Sequence, residues 1–475
     1  MASPQLNSLW IKMSTNQLMR KTSFLICVLF MLWYITSFFY YEQEKLSMAK
    51  NEGNINVIPP PVLSSNTTIT TNNPLEVLNI NYCGQPTCKF LFVYMFGEQE
   101  TKANLHFRSF SQLAEKLNRV MILTNVGSSK IDICNKLPFD FYYNTNLLQK
   151  EFPNVTYKSE DDFIFWLKER DQIKKIMNKG DEVIPPLSVL HSNLRRYDIT
   201  SNAVYRDVKP ITSLNSCLSK FEPSMNLTDS SNSRVRYTIM DITKDDLRTE
   251  KSRDRFSKLL IDVLTIDEEI LLVNSYVLDP LFPVIMPPLP YNDYILNEAQ
   301  KIKDKLSSSY IGIHWRLEQS RAELLPECAQ GLIETLNQVM KEKGIKNIYL
   351  ATDYPLLSSH SQSDTFGDIT NYHHDAMRML NETFKINTWV SLEGLEQLRK
   401  DGKYDAEFLG AGIQGILDKL VCINSNYFIS GPVGCSRILS TFTKAIAEER
   451  RNRIEKKDHS LLNIIDRWRI FNTSV

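Results

Sequence analysis

The sequence predicts an α/β protein with two parallel-sheet domains, set behind a membrane-spanning helix and a stem. Three observations carry this: an uncharged apolar run near the N-terminus, a strand–helix–strand rhythm from Lys89, and the same rhythm resuming at Tyr310. The chain has 475 residues, 43% of them hydrophobic, enough for a large core spread over more than one domain. Lys+Arg and Asp+Glu both number 55, so the formal net charge is zero and the basic footprint of a nucleic-acid binder is missing.

The segment Ser23–Tyr41 (SFLICVLFMLWYITSFFYY) carries no charge and is long enough to cross a bilayer as a helix. Lys12, Arg20 and Lys21 precede it and Glu42 and Glu44 follow, which places residues 1–22 in the cytosol and the rest across the membrane. A cleavable signal peptide is the competing reading. The length of the run, its aromatic content and the lack of a small-residue cleavage site favour a signal-anchor over 23–41. Sequons at Asn66, Asn154, Asn226, Asn381 and Asn472 agree with a luminal chain, and the C-terminus carries no KDEL-like retrieval signal. The expectation is a single-pass type II protein of the Golgi or ER membrane. Residues 42–87, with Pro59–Pro60–Pro61 and a Ser/Thr-rich run, read as a disordered stem too poor in apolar residues to fold alone. Eight cysteines are present. Cys27 lies in the apolar run, and the other seven lack zinc-site spacing and allow up to three disulfides whose pairing the sequence leaves open.

A first domain is expected over 88–292. Phe90–Phe96 (FLFVYMF) reads as a buried strand, and Gly97 permits a sharp turn after it. Ala103, Phe107, Phe110, Ala114 and Leu117 then mark one face of an amphipathic helix, and Val120–Leu123 supplies the next strand. Such a βαβ unit belongs to a parallel sheet. From Lys130 to Asn292 the pattern weakens. Helix-like stretches around Ile164–Met177 and Arg253–Leu264 stand among polar loops, Ser224–Arg236 reads as a surface loop, and Pro280–Pro290 reads as a connector.

A second domain over 293–475 restores the rhythm. Strand Tyr310–Trp315 leads to a helix from about Cys328 to Lys343 and a strand Asn347–Ala351, with another strand near Ile386–Val390. A helix Leu409–Val421, a strand Tyr427–Ser430 and a helix from about Ser440 to Glu455 complete it.

Open α/β sheets bind ligands beyond the carboxyl ends of their strands. His314 and Arg316 end the strand YIGIHW, and the planar fork of an arginine suits a diphosphate, although a surface arginine at an ordinary strand end is the plain alternative. Asp353 ends the next strand, where it either faces the cleft or caps a turn. Ser440, Thr441 and Phe442 open the last helix, whose free N–H groups and hydroxyls either cradle phosphate or are simply capped by Ser440. The Gly431–Gly434 loop matches neither a Walker nor a dinucleotide fingerprint. In the first domain Glu98, after Gly97, is either a general base for a hydroxyl or a solvated charge beside a helix N-terminus. No Asp-x-Asp triplet offers oxygen ligands for a divalent ion, so cationic side chains and helix dipoles are left to neutralise any phosphate.

Together these segments resemble the GDP-fucose protein O-fucosyltransferases and their α1,6-fucosyltransferase relatives. FGEQETKANLHFRSFSQLAEKLNRVMIL is similar to the family's first strand, loop and helix, YIGIHWRLE to its H-x-R strand, and IYLATD to the strand after that. GILDKLVC, YFIS and STFTKAIAEER are similar to its C-terminal nucleotide-binding segment. The resemblance implies a GT-B fold, two Rossmann-like domains facing a central cleft. It also implies metal-independent inverting transfer by direct attack of an acceptor hydroxyl on the fucose anomeric carbon. Residue by residue, it implies that Arg316 binds the β-phosphate, that His314 and Asp418 contact guanine, and that Ser440, Thr441 and Phe442 hold the phosphates and ribose. Gly97 and Asp353 are expected to line the same donor site.

Three departures stand out. Glu98 replaces the asparagine of the family's F-G-N-Q loop, and some relatives use a glutamate in this region as base. The segment SGPVGCSRIL before Ser440 is longer than in the animal enzymes, and LEQSR after Arg316 lacks an aspartate, with Ser320 near that position. Residues 130–292 match poorly and are expected to choose the acceptor.

The expected activity is therefore fucose transfer from GDP-fucose to a protein or glycan hydroxyl in the secretory pathway. The expected partners are that donor, the acceptor and the membrane through one helix, with no nucleic acid, cofactor or metal. A related enzyme using another nucleotide sugar, or a catalytically silent nucleotide-binding scaffold, are the alternatives.

Overall fold

The computed structural model describes residues 73–177, 187–197, 216–222, 224–225, 227, 235–276, 280–282, 289–306, 309–318, 320–357, 366, 368–437 and 440–470. The tail, the apolar run Ser23–Tyr41, most of the expected stem, parts of the Ser224–Arg236 and Pro280–Pro290 segments, and the sequons Asn66, Asn226 and Asn472 lie outside them. Among the described residues no helix is long and apolar enough to cross a membrane.

Two all-parallel sheets carry the fold. The first comprises β1 (Phe90–Phe96), β2 (Val120–Leu123), β5 (Tyr157–Ser159), β6 (Val189–Tyr197), β7 (Val235–Thr243) and β8 (Ile270–Tyr276), in the spatial order β5-β2-β1-β8-β6-β7. A small antiparallel hairpin of β3 (Val126–Gly127) and β4 (Lys130–Ile131) stands beside it. Its helices are α1 (Pro74–Cys83), α2 (Glu100–Lys116), α3 (Thr145–Glu151), α4 (Glu160–Met177), α5 (Lys244–Arg248) and α6 (Glu250–Leu264). Along β1 the side chains alternate. Leu91 and Val93 pack with Phe107 and Phe110 of α2, whereas Phe90 and Phe92 pack with Phe163 and Trp166 of α4. Both faces are therefore covered, as a parallel sheet requires.

Two expectations are corrected here. The stem ends earlier than 87, because Pro74–Cys83 is helical. The Asn73 side chain caps it, Pro74 takes its first turn, and Gly84 at φ 75° ends it. Trp166 Nε1 donates to Asn79 Oδ1 at 3.0 Å, and a Cys83–Cys88 disulfide ties the helix end to β1. Contacts from distant residues thus supply the burial that the segment's own composition lacks. The weakly patterned middle also contains β5, β6, β7 and β8 of this sheet rather than loops among helices. β8 (ILLVNSY) lies directly against β1, pairing Phe90 with Ile270, and β7 forms an edge beginning at Val235, inside the expected surface loop.

The second sheet comprises β9 (Tyr310–Trp315), β10 (Asn347–Thr352), β11 (Ile386–Asn387), β12 (Tyr427–Ser430) and β13 (Asp466–Arg467), in the order β11-β10-β9-β12-β13. Its helices are α7 (Asp293–Lys305), α8 (Leu325–Lys343), α9 (Asn371–Thr383), α10 (Asp405–Phe408), α11 (Ala411–Ile423) and α12 (Thr441–Glu455). In β9 the alternation sends Ile311, Ile313 and Trp315 into the core with Leu332 and Leu336 of α8. Gly312 lies on the opposite face, where a Cβ would stand 2.7 Å from Ser425 Oγ and 3.4 Å from the Cys422 Cα. A larger residue would push α11 off the sheet. Among the described residues Cys134–Cys217 and Cys328–Cys435 are also disulfides, and Cys422 is free and buried.

The strand orders locate the functional ends. In the first sheet the chain leaves β1 toward β2 and β5, then returns on the other side with β6–β8. In the second it leaves β9 toward β10 and β11, then returns with β12 and β13. Loops after β1 and after β9 therefore diverge from their neighbours, and the gap so opened is where such sheets bind ligands.

Candidate functional site

The loops after β1, β9 and β10 meet the starts of α11 and α12 around one cleft of about 470 Å³. All nine residues singled out in the sequence line it: Gly97, Glu98, His314, Arg316, Asp353, Asp418, Ser440, Thr441 and Phe442. So do Glu100, Lys102, Lys130 and Arg437.

His314 is buried at the carboxyl end of β9. Its Nδ1 lies 2.7 Å from Thr443 Oγ1, and its ring lies 4.7 Å from that of Phe442. Burial, helped by the adjacent Arg316, pushes the imidazole down to about 3, so it is neutral near pH 7. Asp418 projects from the middle of α11, where Tyr349 donates to its Oδ1 at 2.5 Å. Burial pushes this carboxyl up to about 7, and the tyrosine bond only partly offsets the desolvation. A neutral imidazole and a carboxyl poised near neutrality offer directional hydrogen bonding rather than fixed charge.

Arg316 is engaged beneath the cleft. Its Nε donates to Glu318 Oε2 at 2.9 Å and lies 3.9 Å from Asp353 Oδ2. Asp353 accepts from the backbone N–H groups of Leu317 and Glu318 at 2.7 and 3.0 Å, so it pins the loop after β9 rather than its own turn. Burial raises its carboxyl to about 6, against the pull of those two N–H groups and of Arg316. The Ser440 side chain caps α12, accepting from Thr443 N at 3.3 Å, and lines the cleft as well. Glu98 lines the same cleft, with its carboxylate 3.2 Å from Lys102 Nζ four residues on. Trp315, which the sequence left without a role, donates from Nε1 to Cys435 O at 2.8 Å and so anchors the loop before α12.

Several contributors escaped the sequence reading. Glu318 is fully buried and accepts from Arg316 through one oxygen and from Arg437 Nη1 at 3.1 Å through the other. Its place two residues after Arg316 was a usable signal. Glu100 and Lys419 form a buried ion pair of 2.6 Å linking the start of α2 to α11. Tyr143, Tyr291 and Asn104 also donate to Glu100 Oε1, at 3.1, 2.9 and 3.3 Å. A lysine inside the apolar run GILDKLVC was the clue there, since buried charges require partners. Buried Arg450 donates to the carbonyls of Cys422 and Ile423 at 3.3 and 3.0 Å, holding the end of the helix that carries Asp418. Near the start of that helix, Gly412 lets Tyr142, Glu407 and Ser129 approach closely. Among the described residues no group of three or more His, Cys, Asp or Glu side chains gathers as a metal site.

No protein-family model and no curated protein matches the chain. Among solved structures, a crystal structure of POFUT1 in complex with GDP matches at 15% identity. It covers 81% of this chain and 99% of that one, with a TM-score of 0.40. A crystal structure of POFUT1 in complex with GDP-fucose matches at 14% identity over 81% and 99%, also with a TM-score of 0.40. The POFUT1 apo-form matches at 13% identity over 81% and 98%, with a TM-score of 0.39. Likenesses of this size carry no argument about chemistry, which has to come from the residues of the cleft.

Proposed function

We propose that this chain is an inverting fucosyltransferase of GT-B type, moving fucose from GDP-fucose to a hydroxyl of a protein or glycan in the secretory pathway. The supporting observation is convergence. Residues far apart in sequence, all but Glu98 lying in segments that resemble the fucosyltransferase family's motifs, line one cleft at the switch points of two parallel sheets. In this reading His314 and Asp418 take the guanine, with Asp418 accepting from base N–H groups once ionised. Ser440, Thr441 and the first turn of α12 meet the phosphates, and Phe442 flanks the ribose. Arg316 meets the β-phosphate, and Gly97 and Asp353 border the sugar end of the donor.

Glu98 is the base. It takes the acceptor hydroxyl proton as that oxygen bonds to the fucose anomeric carbon, while the bond from that carbon to the β-phosphate oxygen breaks. Charge grows on the departing GDP, where the positive charge of Arg316 and the N–H groups of α12 stabilise it most, so no divalent ion is invoked. An N-terminal signal-anchor would hold the cleft in the lumen of the Golgi or ER, and 73–292 and 293–475 would be the acceptor-side and donor-side domains.

Kinetics of Glu98→Gln and Arg316→Ala with GDP-fucose and a panel of protein and glycan acceptors test this. Glu98→Gln should lower kcat by about 10²–10⁴-fold with little change in donor KM. Arg316→Ala should lower kcat by about 10²–10³-fold or more and leave the protein folded. Full activity in either variant rejects its assignment.

A further inference from the structure

We infer that Arg437 is a second ligand of the donor diphosphate, paired with Arg316 across Glu318, so that the guanidinium N–H groups that Glu318 leaves open on both arginines address the terminal phosphate. The inference rests on the donor reading above and adds a residue from the loop that departs from the family in length.

Glu318 is fully buried, and its two oxygens are divided, Oε2 to Arg316 and Oε1 to Arg437. One carboxylate thus sets both guanidinium groups side by side at the cleft, which both arginines line. Two guanidinium groups sharing one carboxylate repel each other, and the second carboxylate, Asp353, reaches Arg316 alone, at 3.9 Å, so the Arg437 side has only its share of Glu318 among the described residues. A second anion on the open side would complete the arrangement. Asp353 does not fill that place, because its oxygens accept from the loop N–H groups of Leu317 and Glu318 and reach Arg316 only at 3.9 Å.

The exposures match this division of labour. Arg316 is 14% exposed and fixed from below, whereas Arg437 is 39% exposed. Among the described residues Arg437 spends one amino group on Glu318, at 3.1 Å, which leaves the rest of its fork available to a ligand. Its loop is held at Cys435 by the disulfide to Cys328 and by the Trp315 hydrogen bond. The arginine is therefore presented from a tethered support, and less ordering is required when an anion arrives.

The test is titration of the full-length protein, wild type and Arg437→Ala, with GDP, UDP, inorganic pyrophosphate and GMP. Arg437→Ala should weaken the nucleoside diphosphate that the wild type binds by about 10–100-fold, the worth of one charged hydrogen-bonding partner. GMP affinity should stay within about threefold, because GMP lacks the terminal phosphate. Arg437→Lys should recover only part of the loss, since a lysine supplies charge without the fork. Unchanged diphosphate affinity in Arg437→Ala overturns the inference and leaves the donor reading standing. Equal losses for GDP and GMP reduce Arg437 to structural support and also overturn it. A wild type that binds neither nucleoside diphosphate nor pyrophosphate rejects both readings, and that failure is visible before any substitution.

Discussion

The buried Glu100–Lys419 pair gives a sharp test of how the cleft is held together. Both side chains are almost inaccessible, at 4% and 2%, and Lys419 also donates to the Tyr291 hydroxyl at 2.8 Å. Lys419→Met keeps the length of the side chain but leaves the Glu100 carboxylate without its cation. Breaking one half of a buried pair costs about 3–5 kcal/mol. The donors from Tyr143, Tyr291 and Asn104 that remain on Glu100 set the expectation at the low end, near 3 kcal/mol. Glu100→Gln should cost a similar amount by stranding the lysine. The double variant removes both charges and should lie within about 1–2 kcal/mol of wild type, because replacing a whole buried pair is often nearly neutral. Urea unfolding of the four proteins at pH 7 gives the coupling directly, expected to be at least about 2 kcal/mol. A Lys419→Met protein within about 0.5 kcal/mol of wild type, or additive single effects, would refute the reasoning.

Two further outcomes follow from the same geometry. The carboxyl of Asp418 is raised to about 7 from an ordinary value of 3.8, so between those values the folded state holds a proton that the unfolded chain releases. Its contribution to stability is therefore present at acid pH and lost as pH rises toward 7, so Asp418→Asn should gain on wild type by about 2–3 kcal/mol between pH 5 and pH 7 in denaturant titrations. Gly412→Ala would drive its methyl into the Tyr142 hydroxyl, with Ser129 N only 2.9 Å away, and should cost about 1–3 kcal/mol in the same assay.

The fold was legible wherever one face of an element alternates or repeats. Strands β1, β2, β9, β10 and β12 and helices α2, α8, α11 and α12 follow directly from apolar periodicity, with ends displaced by a few residues where caps decide. β6 and β7 were not legible, since polar and aromatic residues such as His191, Asn193 and Tyr237 interrupt the apolar pattern. His191 is instead satisfied by the Tyr94 hydroxyl at 2.9 Å, a partner 97 positions away. Most cleft residues could be found because strand ends and helix starts have local signatures, whereas Asp418, in the middle of α11, came only from the family resemblance. Glu318 and Lys419 carried a local clue, but their roles, like those of Arg437 and Glu100, depend on partners on other elements: Glu318 on Arg437, and Lys419 on Glu100. Asp353 shows the intermediate case: its position was readable, whereas its hold on the neighbouring loop depends on how β10 lies beside β9.

The central claim is that the cleft takes GDP-fucose as its donor. Calorimetric titration of the full-length protein with GDP-fucose, GDP-mannose and UDP-sugars, repeated with Arg316→Ala, tests it most directly. The account predicts saturable one-site binding of GDP-fucose, preference for guanine over uracil donors, and loss of that binding in Arg316→Ala. Binding of UDP-sugars but no guanine nucleotide, or GDP-fucose affinity indifferent to Arg316, would contradict it.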